Sequence, residues 1–228
     1  MTSSLLDEDK SADRAQTFLD WTRINSKALT IAAVAIVLAG GAYWIYVKTK
    51  ENQSARAAQA LLTAKSSIGS GNLALAHSDL QNIVSKWQST TSGVEASMLL
   101  ATMDYDQGKF ADGIKLLQDA ESTGPGREVA PALEGLIGDG YMQSNQSRKA
   151  ADAYSRAAAV SRFESETAYD KAKAARAYEV AGDTAKAKEL WTWLATEPAG
   201  ASMASEAKVR IGELEAIHGA PDSAAKGG

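Results

Sequence analysis

The sequence predicts an all-α chain: an N-terminal transmembrane helix, then a solenoid of about four helical hairpins, then a C-terminal capping helix. Three observations carry this. Twenty residues, Ala28 to Val47, bear no charge. A turn-forming residue recurs every 37 positions, at Gly71, Gly108, Asn145, Gly182 and Gly219. The chain is also rich in Ala and holds only 4 Pro among 228 residues, a helix-favouring composition.

The apolar run comes first. At about 1.5 Å per residue it is roughly 30 Å long, the thickness of the hydrocarbon core of a bilayer. Tyr43, Trp44 and Tyr46 cluster at its C-terminal end as an interfacial belt does, and Lys27, Lys48 and Lys50 bound it. A buried core helix and a cleaved signal peptide are the alternatives. The 27 residues ahead of the run include Asp7, Glu8, Asp9, Asp13 and Asp20, unlike the short basic start of a signal peptide. Arg23 and Lys27 on one side balance Lys48 and Lys50 on the other, so charge leaves the orientation open.

The repeat is read from residues held in phase with the turn. Five positions after it stand the small residues Ala76, Gly113, Ala150 and Ala187; nine positions after it stand Leu80, Leu117, Tyr154 and Trp191. Seven positions before it stand Ala64, Ala101, Gly138, Ala175 and Gly212. Small residues let neighbouring helices approach and the large one fills the space between them. Gly and Asn suit the turn because both tolerate positive φ. Each unit is therefore a helix A, a turn and a helix B. The expected pairs are 51–68 with 73–87, 93–107 with 111–122, 128–144 with 148–160, and 165–181 with 184–195. A last helix over 202–218 falls in phase as a helix A without a partner, a solvating cap. From Ala42 to Ile68 there is no Gly or Pro, so the membrane helix is expected to run on into the first helix A. The chain thus divides into a tail over 1–27, a membrane helix over 28–47, a solenoid over 48–218 and a disordered tail over 219–228.

The same residues exclude much chemistry. There is no Cys, and the two histidines, His77 and His218, are far apart, so no disulfide, metal site or Ser–His–Asp arrangement is expected. With 24 basic against 28 acidic residues there is no basic stripe for nucleic acid. The stretches 69–72 and 122–128 contain glycines but lack the Gly-Lys-Ser/Thr ending of a phosphate loop. Glu164/Glu166 and Asp104/Asp106, spaced i, i+2, diverge on a helix. No catalytic residue, metal or cofactor is expected, and the chain reads as a non-enzyme.

Tyr141, Asn145, Ala150, Tyr154 and Ala157, and again Ala175, Tyr178, Gly182, Ala187 and Trp191, give the repeat a resemblance to the tetratricopeptide repeat. Ser67 and Asp104 replace the Tyr in the first two units, the early Trp of that family is missing, and the period exceeds its usual length of about 34. The resemblance implies a concave wall of helix A side chains, here Leu61, Lys65, Ile68, Met98, Tyr105, Met142, Tyr169 and Arg176, as a partner-binding groove. Met and Tyr suit an adaptable groove, and suit packing between helices equally.

The order of parts, with GGAYWIY closing the apolar run and ENQSARAAQALLTA leading into the repeats, resembles the YfgM family, ancillary subunits of the bacterial Sec translocon. That resemblance implies a cytoplasmic N-terminus, a periplasmic solenoid in the inner membrane, and contact with Sec translocon subunits and membrane-anchored periplasmic chaperones. An envelope-assembly or cell-division scaffold is the alternative. So is a regulator acting through Leu5, Leu6, Phe18, Leu19 and Trp21 of the tail.

Overall fold

A computed structural model describes residues 21, 24, 26–124, 126 and 128–219. The expected tails, 1–27 for the most part and 219–228 beyond its first residue, lie outside them. All regular structure among the described residues is helical. In chain order the α-helices are α1 Ser26–Gly69, α2 Leu73–Trp87, α3 Thr91–Asp106, α4 Phe110–Ser122, α5 Ala130–Gln143, α6 Ser147–Val160, α7 Glu164–Val180, α8 Thr184–Thr196 and α9 Ala204–Gly219. A short 3-10 helix, Pro198–Met203, precedes α9.

Two compact units divide the chain, Met1–Asn52 and Gln53–Gly228. In the first, α1 carries the apolar run, and every described side chain from Ser26 to Tyr46 is exposed. Yet among the described residues no helix is long and apolar enough to cross a membrane. The expected span is not supported there. Leu29, Ala32 and Ala33, three apolar members of the run, lie outside the described side chains.

In the second unit the turns take one form. Gly71, Gly108, Asn145 and Gly182 have φ of 78°, 75°, 59° and 77°, the left-handed region. At each, the amide three residues after the helix end reaches back across the turn. Asn72, Lys109, Gln146 and Asp183 donate to the carbonyls of Ser67, Asp104, Tyr141 and Tyr178 at 2.9, 2.8, 2.8 and 2.9 Å. The left-handed residue itself donates to the carbonyl three positions earlier in every case. This pair of bonds satisfies the last carbonyls of a helix and requires a residue that tolerates positive φ. The residue after the turn then caps the next helix; Asn72 and Asp183 do so with their side chains.

From α2 onward each helix packs on the next. The in-phase residues form the core. Ala76, Ala150, Ala187, Leu80, Leu117 and Trp191 are fully buried, and Tyr154 nearly so. Size is matched across the pair: a Cβ on Gly138 would lie 2.5 Å from the Tyr154 ring. Where no helix B follows, the match lapses, and a Cβ on Gly212 of α9 would meet nothing within 4 Å. The opposite face of α9, with Ala207 and Leu214, closes the core over Trp191 and Leu194.

Candidate partner-binding surface

The eight residues expected on the concave wall do not form one surface. Leu61 and Tyr105 are 4% and 5% exposed and belong to the core, which corrects their assignment to a groove. Leu61 packs with Ala64, Leu80 and Leu100. Tyr105 fills space left by Gly113 and Gly140 and donates its hydroxyl to the Leu136 carbonyl at 3.2 Å. Burial first, then the nearby Asp139, pushes that phenol well above its ordinary pKa. Met98 and Met142 are half-buried against the core, and Ile68 lines a cavity of 860 Å³ with Leu73, Leu99 and Met103.

Lys65 and Arg176 are engaged with other repeats. Lys65 meets Glu95 at 2.5 Å, and Arg176 holds the Glu206 carboxylate with two nitrogens, at 2.8 Å or a little more. Both pairs join position −6 of one helix A to position −13 of the next, counted from the turn. Between the third and fourth repeats the polarity is reversed and the register differs: Asp139 stands at position −6 but pairs with Lys173 at position −9 of α7, at 2.5 Å. The three pairs form an ionic ladder along the A helices. Each is at least partly exposed, so the ladder aligns repeats more than it stabilises them.

Of the eight, only Tyr169 presents a largely exposed ring, at 53% exposure. It overlooks a cleft of about 470 Å³ between α5 and α7. Pro131, Ala132, Gly135 and Leu136 form one wall; Glu166, Asp170 and Lys173 form the other with Tyr169. The cleft opens because position −10 of helix A, filled by Leu61 and Met98 in the first two repeats, is Gly135 here. A Cβ at Gly135 would meet nothing within 4 Å. Lys173 bridges the floor, lying 4.5 Å from the centre of the Tyr154 ring and 5.5 Å from that of Tyr169. A smaller cavity shares Glu128, Pro131 and Glu166 with the cleft and extends it to Phe163, which is 63% exposed.

The electrostatics of the cleft are uneven. Asp139 is matched by Lys173, and Glu128 at the rim meets Arg162 at 3.3 Å. Asp170, 8% exposed, accepts one hydrogen bond from Ser161 at 3.2 Å and forms no ion pair among the described residues. Burial chiefly, and then the charges of Glu166 and Asp139, raise its carboxyl above the ordinary carboxylate range, against the pull of Ser161 and Lys173. Sequence reasoning missed Asp139, Phe163, Asp170 and Lys173, and set Glu166 aside as one of a diverging pair. One signal was available: an acid at position −6 where Lys65 and Arg176 set cations. Among the described residues no three His, Asp or Glu are placed to hold a metal ion.

Comparison with known proteins agrees with this architecture. A putative kinesin light chain from Podosopora anserina with nearly identical tetratricopeptide-like repeats superposes with a TM-score of 0.52 at 16% identity, covering 73% of this chain and 98% of its own. A point variant of that protein gives 0.53 at 16% identity, covering 72% and 97%. At that identity the likeness concerns the fold alone. Among curated proteins none matches the sequence. The tetratricopeptide repeat-like domain family matches residues 57–173, over half of the chain, and the structure carries the same turn one repeat further, to Gly182. By that match, and by four turns of one geometry, the chain belongs to the tetratricopeptide repeat-like domain family.

Proposed function

We propose that the protein is a non-catalytic, membrane-anchored adaptor, with its N-terminus in the cytoplasm and its solenoid in the periplasm of a bacterial envelope. In this reading it works beside the Sec translocon and membrane-anchored periplasmic chaperones, and assists newly exported chains. The tetratricopeptide repeat-like fold, typically a protein-interaction scaffold, supports the adaptor role. The anchor rests on one observation above others: the uncharged run over 28–47 is helical, and Ile31, Val37 and Trp44 are 71%, 72% and 67% exposed. Among the described residues that helix is not apolar enough over its length to count as a span, yet the exposed apolar side chains along it call for lipid or a partner to cover them. An anchor also raises the effective concentration of the solenoid near an exit site. Orientation and the translocon come from the resemblance of the whole arrangement to the YfgM family.

Photo-crosslinking in intact cells tests the proposal, with a reactive residue at Met142 and a control at Ser11. Crosslinks from Met142 to Sec subunits or periplasmic chaperones are expected. Capture of cytoplasmic proteins from Met142 would overturn the orientation and the translocon together. Capture of only division or envelope-assembly proteins would replace the adaptor by a scaffold.

A further inference from the structure

The cleft between α5 and α7 carries an anomaly that packing does not account for. A glycine inside a helix costs about 1 kcal/mol relative to alanine, and is kept where a neighbour comes too close for a side chain. Gly138 and Gly140 of the same helix meet that condition, against Tyr154 and Tyr105. Gly135 does not: the space before it is open, and that space is the cleft.

The second anomaly is charge. Within the cleft Lys173 pairs with Asp139 and acts on Asp170 only from beyond ion-pair distance, while neither Asp170 nor Glu166 forms an ion pair among the described residues. A carboxylate as buried as Asp170 is costly to keep without a counter-charge. The side chains beside it, Tyr169 and, at the extended end, Phe163, are exposed aromatic surfaces that suit an aliphatic stem or an apolar neighbour.

We propose that this cleft seats a lysine- or arginine-bearing extended segment of a partner polypeptide, its cation between Glu166 and Asp170 and its apolar atoms against Tyr169 and Phe163. The missing side chain at Gly135 makes the room, and the two unmatched carboxylates select the sign of the occupant. An acidic segment meets repulsion at the same place. The proposal deepens the adaptor reading and rests on it, but its test needs no cellular partner. A null result here therefore leaves the crosslinking outcome untouched.

The test is fluorescence anisotropy on the full chain in a non-ionic detergent. The probes are a fluorescein-labelled dodecapeptide of repeating Ala-Lys-Ala and its Ala-Glu-Ala counterpart. The lysine probe should bind saturably and weaken with added salt, as partly exposed ion pairs do. Glu166→Gln with Asp170→Asn should weaken it by about fivefold or more, a change of about 1 kcal/mol. Gly135→Met, which restores the residue type of Met98 and leaves every charge in place, should weaken it comparably. The paired control Glu189→Gln with Glu197→Gln, on exposed sites of the last repeat, should leave it unchanged. The proposal is overturned if the lysine probe does not saturate, if the control pair weakens it as much as the cleft pair, if Gly135→Met has no effect, or if the glutamate probe binds equally.

Discussion

Asp170 shows how a single buried carboxylate carries a cost that the rest of its repeat sustains. Its raised pKa means that the folded chain holds the proton more tightly than the unfolded one. The sign follows: stability from this group is present at acid pH and is lost as pH rises through the folded value. The penalty therefore grows from acid pH towards neutrality. Asp170→Asn keeps the shape and the Ser161 contact while removing the charge, so Tm at pH 7 should rise by about 1–3 °C. The gap between variant and parent should close as pH falls towards 4. Thermal unfolding followed by circular dichroism at the two pH values checks this; an unchanged or lower Tm at pH 7 would mean that Asp170 is better solvated than its burial indicates. A site that gains stability when its charge is deleted has the trade-off expected of a surface kept for binding.

At the scale of elements, one cluster ties three helices together. Arg156 of α6 holds Glu134 of α5 with two bonds, at 2.7 and 2.9 Å, and Glu134 is 7% exposed at its side chain. Glu121 of α4 lies beside them, its carboxyl raised first by burial and then by the charge of Glu134, with Arg156 pulling the other way. Arg156→Met strands Glu134 next to Glu121. Because Arg156 is about half exposed, the loss should fall below the usual cost of breaking a buried pair, at about 2–3 kcal/mol at pH 7. A carboxyl raised in the fold favours the fold at lower pH, so part of the loss should return at pH 5. Urea titrations at pH 7 and pH 5 read both effects, and a loss independent of pH would rule out the carboxylate pair as its cause. The sequence told much about these elements and less about their surroundings. Positive φ is a demand on one residue, so Gly71, Gly108, Asn145 and Gly182 could be read as turns, and the helices on either side end within a few residues of expectation. Whether a helix face is covered depends on the next repeat. Leu61 and Tyr105 shared the phase of the expected wall, yet neighbouring helices bury them. The partners of Lys65 and Arg176 lie 30 residues away, beyond any helical spacing rule. The cleft was hidden because it is made by what Gly135 lacks.

Across the solenoid as a whole, the core is three overlapping clusters, each shared by consecutive repeats. Stability in such a stack is close to a sum over units and the interfaces between them. The four turns of common backbone geometry add a further consequence: the first three repeats are spare parts of two gauges, Ala against Leu and Gly against Tyr, and the fourth, Ala175 against Trp191, is a third. Removing 72–108 joins Gly71 to Lys109 and sets Ala64 beside Leu117, repeating the Ala101 and Leu117 fit already in use. Removing 109–145 joins Gly108 to Gln146 by the same turn but sets Ala101 beside Tyr154, where the native chain has glycine because a Cβ would lie 2.5 Å from the ring. The first shortened chain should melt cooperatively, and the second should be weaker by about 1–3 kcal/mol. Equal melting of the two would mean that the gauge is set by something other than this pair. A chain of this kind can lose or gain a unit without re-cutting its joints, but only within a gauge.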